Sequence, residues 1–295
     1  MIAFATDATR AGADEVIAGS GPVQWNLAMR RLRTEWKVLD AIHIHGGIWR
    51  SQIYYYVLRA KTRSTAWVVH LHGSEARQGK GLHHLRLADA VLASTPDLVH
   101  YVPGSLWLPN PVQIPPSFST PSSRGRVTFS HFPTDRRIKG TESILSAFRE
   151  AFGGPKESPT PGTREERWTW DEAALVIGEH LPQGRVFELM EESDAVIDHL
   201  SELGPVSLVA LEGMARGRAA LSSFDRDRYP EDCPVIRITL EDAASVLRRV
   251  VRDRHELEGA GVAGRGYVER RHHPDVVVAR TIDIYDRSRR ARSSG

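Results

Sequence analysis

Cysteine is almost absent from this chain. Cys233 is the single thiol among 295 residues, which excludes an internal disulfide framework and any cysteine-rich zinc site. No run approaches the roughly 18 consecutive apolar residues of a membrane-spanning helix. The opening residues, MIAFATDATRAGADE, lack the basic stretch and apolar core of a secretory signal. Cytoplasmic residence is the expectation, with peripheral contact at a membrane left open. A surplus of charge of one sign is missing too, the formal net being +2. That figure averages two unlike parts. Residues 1–115 hold 12 Lys and Arg against 8 Asp and Glu, and the remainder holds 27 against 29. A modest basic excess in the first part suits an anionic acceptor, a membrane surface or a nucleic acid, and selects none of them.

What is present is a soluble α/β pattern. Hydrophobic residues make up 41% and charged residues 26% of the chain, the composition of a globular protein long enough for two domains. Short apolar runs read as strands at 41–44, 66–71, 90–94, 106–108, 127–129, 174–177, 195–197, 219–222 and 235–238. Amphipathic stretches at 23–32, 142–151, 186–192, 208–216 and 240–252 read as helices between them. This alternation predicts parallel sheets covered by helices on both faces. No internal repeat interrupts it. Residues 113–125, QIPPSFSTPSSRG, read as a linker, 153–167 as an exposed polar loop, and 266–287 as helical.

Residues 129–141, FSHFPTDRRIKGT, carry the densest functional signal. Arg136, Arg137 and Lys139 with Gly140 follow a strand and precede a helix. Guanidiniums offer planar forks, the ammonium a point charge, and glycine lets backbone come close to a ligand. Such a turn fits a diphosphate, the alternative being a solvated basic turn. In GPVSLVALEGMARGRAA, residues 204–220, Ser207 is placed to cap a helix that Gly217 ends. That helix's N-terminus offers N–H groups to a phosphate, and Glu212 one turn later offers a carboxylate to ribose hydroxyls. A surface glutamate on an ordinary helix is the plain alternative.

Two HxH strand ends, His43 with His45 before Gly46, and His70 with His72 before Gly73 and Ser74, place each histidine pair on one strand face. A metal site is one reading, but no carboxylate or cysteine stands at ligand spacing. Histidines packed at a strand's carboxyl end, one facing substrate, is the preferred reading. Gly19 and Gly21 open the helix-like stretch 23–32, in a loop able to sit against phosphate or sugar. Trp49 and Tyr54, Tyr55 and Tyr56 offer faces for stacking on an acceptor.

Taken together, these segments resemble the GT-B glycosyltransferases of the glycosyltransferase 4 type (glycosyl transferases group 1). The carriers are VVHLHGSEAR, ADAVLASTPDLVHYVPG and LWLPNPV in the first half. In the second they are HFPTDRRIKGT, DAVIDHLSELGPVSLVALEGMARGRAAL and YVERRHHP. The resemblance runs from about residue 40 to about 275. It implies an α/β chain with two Rossmann-like, doubly wound domains facing each other across a cleft, the N-terminal one shortened. The organisation that follows is an acceptor-side domain over 1–115, a linker over 116–125, a nucleotide-sugar domain over 126–265, and a returning helix with tail over 266–295.

The resemblance also implies a function: retaining, metal-independent transfer of a sugar from a nucleotide-diphosphate donor, with no cofactor. Arg137 and Lys139 would neutralise the diphosphate with Arg136 and Gly140 beside them. Glu212 would hold the ribose, and amides at Ser207, Leu208 and Val209 would meet phosphates. His72 would face the transferred sugar, with His45, Gly46 and Ser74 on the acceptor side and Gly19 and Gly21 near the donor. The acceptor stays open among glycan, lipid, small molecule, protein and nucleic acid. Gly204 stands where the family often has a sugar-contacting glutamate, with Glu202 close by. That departure, and the short first half without an evident general base, keep a non-catalytic nucleotide- or partner-binding member as the alternative. A glycosyltransferase acting on nucleic acid is the lesser one.

Overall fold

The computed structural model describes residues 2–5, 15–18, 39–45, 65–79, 82–118, 125–159, 163–201 and 204–293. The expected helix over 23–32 lies outside them, as do Gly19, Gly21, Gly46, Trp49, the three tyrosines and Glu202. The chain forms two compact units: Met1–Leu92 with Ile282–Gly295, and Ala93–Thr281.

In the first unit β1 (Ile2–Ala5) and β2 (Glu15–Ala18) pair in parallel. β3 (Ala41–His45) pairs in parallel with β4 (Ala66–Leu71), setting His45 opposite His70. These strands belong to a four-stranded sheet of order β3-β4-β5-β6, where β5 is Ala90–Ala93 and β6 is Leu106–Trp107. The boundary between the units falls inside β5. β4 is buried along its whole length, as expected for a strand covered on both faces. Alternation sorts its surroundings: Ile42 and Ile44 pack on Trp67, and His43 and His45 point the other way.

The second unit is built on a six-stranded sheet of order β12-β11-β10-β7-β9-β8. Its members are β7 (Val127–His131), β8 (Glu165–Thr169), β9 (Ala173–Gly178), β10 (Ala195–Ile197), β11 (Ala219–Ser222) and β12 (Ile236–Arg237). All recorded pairings are parallel except β8 on β9. Leaving out the antiparallel edge, the sequential strands stand in the order 2-1-3-4-5, the doubly wound order whose direction reverses between β7 and β10.

Period-2 alternation gives this sheet two apolar faces. Val127, Phe129, Leu175, Ile177, Ala195, Ile197 and Leu221 join α4 (Thr141–Phe152) and α7 (Ala243–Arg252) in one core. Val176 and Val196 face α5 (Gln183–Glu191), and Ala220 faces α6 (Leu208–Ala215) with α8 (Arg254–His272). Each fully buried Leu, Ile, Val or Phe stabilises the fold by about 1.5–3 kcal/mol.

Two expectations are corrected, and the helical one is borne out in finer form. The polar loop at 153–167 runs into β8, an edge strand whose charged positions tolerate exposure and whose alternation reads exposed–intermediate toward a buried Thr169. The helical stretch at 266–287 is two helices, α8 and α9 (Pro274–Ser293). They break at His273, φ −59° and ψ 133°, because the residue before proline is pushed out of the helical region. The basic turn is itself one helical turn, α3 (Arg136–Lys139). A short helix, α2 (Pro96–Tyr101), lies in the stretch STPDLVHY, and α1 (Ser74–Arg77) follows β4.

Candidate functional site

The doubly wound order places the loops after β7 and β10 at the switch point. There adjacent strands send their chains to opposite sheet faces and leave a crevice at their carboxyl ends. Asp135 starts α3 by accepting from the backbone N–H of Arg137 at 2.9 Å and of Ile138 at 3.0 Å. Gly140 ends it in the left-handed conformation, φ 68°. A Cβ at that position would stand 1.9 Å from the Leu200 carbonyl oxygen, so no other residue fits. The Leu200 N–H donates to the Lys139 carbonyl at 3.0 Å. The two loops are thus stitched together by backbone.

The side chains of the turn divide sharply. Arg136 turns to the sheet edge, donating to Glu179 at 2.7 Å and to Glu166 of β8 at 2.6 Å. Arg137 is exposed, and its guanidinium has no hydrogen bond or ion pair among the described residues. Lys139 Nζ reaches across the switch point to Asp198 Oδ1 at 2.7 Å and Ser207 Oγ at 3.2 Å. An ammonium has three donors, so one remains for a ligand.

Asp198 organises this end of the sheet, and sequence reasoning gave it no role. Its side chain is wholly buried. It accepts from Lys139, from the Ser207 hydroxyl at 2.5 Å, from the Ser207 N–H at 2.8 Å and from Ser222 at 3.2 Å. Burial works to raise its pKa, but Lys139, His199 and the hydrogen bonds outweigh it and hold the carboxyl below the usual range. The available signal was an acid directly after the apolar triplet Ala195, Val196 and Ile197, where a strand meets its loop. His131, at the end of β7, is also buried, between the Ile197 carbonyl at 2.9 Å and Thr141 Oγ1 at 3.0 Å. Burial first, then Lys139 and Arg136, lower it to about 4 against the opposing pull of the carbonyl and Asp198, so the imidazole is neutral.

Ser207 occupies the N-cap position of α6, but its side chain does not cap the helix, contrary to the sequence expectation. Its hydroxyl is spent on Asp198 instead. The first-turn N–H groups of Leu208 and Val209 therefore carry no side-chain cap and keep their capacity for an anion. Glu212 lies half-buried one turn on, with Gln183 Nε2 at 3.4 Å. Burial pushes its carboxyl up, tempered by Arg216 and Gln183. Gly217 ends the helix with φ 72° as expected, its N–H on the Met214 carbonyl at 2.9 Å. Gly204 is paired by backbone, its N–H donating to Ser223 at 3.1 Å.

The second unit thus brings Lys139 and Gly140 to Ser207 at the start of α6, whose first turns carry Leu208, Val209 and Glu212, leaves Arg137 exposed on the same turn, and turns Arg136 aside. The first unit holds the remaining described candidates. His45 Nδ1 and His72 Nε2 are 3.0 Å apart, both residues being exposed, and Ser74 opens α1. No helix among the described residues is long and apolar enough to cross a membrane.

No family model and no curated protein sequence matches the chain. Solved structures do. Sucrose-phosphate synthase from Thermosynechococcus elongatus superposes with a TM-score of 0.63 at 14% identity, over 97% of this chain and 88% of that one. HepE from Anabaena, in complex with UDP-glucose, gives 0.60 at 14%, over 95% and 86%. A glycosyltransferase from Rickettsia africae gives 0.62 at 11%, over 93% and 85%. At such identities the likeness is one of fold, and the fold of this chain is the α/β fold of the GT-B glycosyltransferases.

Proposed function

We propose that this chain is a glycosyltransferase of the glycosyltransferase 4 type that takes a nucleoside-diphosphate sugar as donor and binds it in the second unit. The observation that carries the reading is the meeting of Lys139 Nζ and the uncapped start of α6 at the switch point, with Ser207 Oγ 3.2 Å from the ammonium. An anion there is met by a point charge, by helix N–H groups and by the exposed Arg137 fork. Glu212, half-buried one turn along the same helix, suits ribose hydroxyls. UDP sugars are the first donors to test, since HepE is seen with UDP-glucose.

As the bond between sugar and diphosphate breaks, negative charge grows on the leaving phosphate. Arg137, Lys139 and the α6 amides stabilise that charge in a preorganised setting. These groups supply the role a divalent cation plays elsewhere, which is the support for metal-independent transfer. Asp198 fixes Lys139 from behind. Retention of anomeric configuration and the sugar-facing role of His72 rest on the family resemblance. The alternative of a donor-binding protein without transfer draws on Gly204, whose backbone pairing supplies no acid beside the sugar.

A thermal-shift screen of nucleotide sugars tests the proposal. A bound donor raises the melting temperature by mass action, about 2.7 kcal/mol of stabilisation at a hundredfold excess over Kd. No shift with any nucleotide or nucleotide sugar sinks it. A shift without transfer or slow donor hydrolysis favours the non-catalytic alternative.

A further inference from the structure

The first unit carries three imidazoles on one face of β3 and β4 and a fourth, His72, just past the end of β4, and the donor reading uses at most one of them. We propose that His43, His45 and His70 form a binding site for a divalent late first-row transition ion, zinc being the first to test. One ring nitrogen from each of the three lies within 4.8 Å of the others. Nitrogens on a zinc shell of 2.0–2.1 Å stand about 3.3 Å apart, so modest ring rotations close the site. The side chains come from adjacent paired strands, His45 directly opposite His70, so the backbone frame is rigid.

The partners of the rings support the assignment. A histidine that ligates through one nitrogen characteristically commits the other to a hydrogen bond that fixes tautomer and orientation. His43 Nδ1 is 2.6 Å from the Tyr285 hydroxyl, and His45 Nδ1 is 3.0 Å from His72 Nε2. Both pairings leave Nε2 as the ligand atom. His43 Nε2 is buried and has no hydrogen-bond partner among the described residues, a costly arrangement that coordination relieves. The rings His43 and His45 stack at 4.3 Å between centroids, and His45 lies 5.3 Å from His70. Such contacts suit neutral imidazoles, the form that binds metal. His45 is exposed, so an ion enters from solvent and water completes the shell. The absence of carboxylate or thiolate ligands points to the imidazole-preferring ions.

The test uses untagged full-length protein dialysed against chelator and titrated with Co²⁺, then Zn²⁺. Saturation at one equivalent is expected, with the intense visible absorption of a four-coordinate site that Zn²⁺ abolishes. This readout needs no variant and no donor, so it is separate from the glycosyltransferase reading. His43→Ala and His45→Ala should each weaken cobalt binding at least a hundredfold. His72→Asn should weaken it about 10–100-fold, as loss of an orienting partner does. His255→Ala, at an exposed side chain elsewhere, should change nothing. Absorption that does not saturate at one equivalent, or binding retained in the His43→Ala/His45→Ala variant, overturns the proposal.

Discussion

Lys139 and Asp198 form an ion pair of 2.7 Å across the switch point, and the Asp198 side chain is completely shielded from solvent. Removing either partner leaves an uncompensated charge in a poorly hydrated place. Lys139→Met and Asp198→Asn should each cost about 3–5 kcal/mol. The double variant should lose clearly less than the sum, because no lone charge remains. Urea unfolding of the four proteins measures this, and strict additivity would show that the pair is not coupled.

Gly140 is the backbone counterpart of that pair. Gly140→Ala combines a left-handed φ of 68° with a Cβ only 1.9 Å from the Leu200 carbonyl. The loops after β7 and β10 must part to admit it. A loss of more than about 2 kcal/mol is expected, beyond the usual cost of alanine at positive φ. A near-neutral result in chemical denaturation would mean the turn is not held against the β10 loop.

Acid should weaken the second unit through its buried histidines. His131 and His272 are both lowered to about 4, chiefly by burial, against about 6.5 in the unfolded chain. The unfolded state therefore binds more protons between those values. Stability from these groups is complete above pH 6.5 and falls as the pH drops toward 4, by up to about 1.4 kcal/mol per pH unit for each. Melting curves from pH 8 to 4 check the direction, and His131→Gln should flatten the profile.

Glu212 should read the ribose rather than the phosphates. Glu212→Gln is expected to weaken UDP binding about tenfold, the scale of one charge-assisted hydrogen bond. Binding of inorganic pyrophosphate should be unaffected. Equal losses for both ligands, measured by calorimetry, would remove the carboxylate from the ribose.

Most of the strands were legible because apolar runs such as β4, β10 and β11 are short, β-rich and bounded by polar turns. Their bounds at 66–71, 195–197 and 219–222 agree with the observed strands. β8 was not legible: EERWT is charged, and what makes it a strand is pairing with β9 and the clasp of Arg136 on Glu166. That same clasp is why one of three adjacent cations leaves the proposed site, a tertiary fact that local composition does not carry. Asp198 escaped notice for a like reason. Its significance lies in groups from residues 139, 207 and 222, which converge only after the sheet has formed. Ser207 shows the converse, a capping residue diverted from its cap by a stronger acceptor nearby.

In the proposed function the second unit holds a nucleoside diphosphate through Arg137 and Lys139. Titration calorimetry of UDP into wild-type, Arg136→Ala and Arg137→Ala protein tests it most directly. Arg137 is exposed and its guanidinium is unpaired among the described residues, so its removal should leave the fold intact, whereas Arg136 is bound to Glu166 and Glu179. Wild-type protein should bind one UDP, Arg137→Ala should weaken that about tenfold or more with an unchanged melting temperature, and Arg136→Ala should alter stability more than affinity. A folded wild-type protein that binds no nucleoside diphosphate, or an Arg137→Ala variant that binds as tightly as wild type, would contradict the claim.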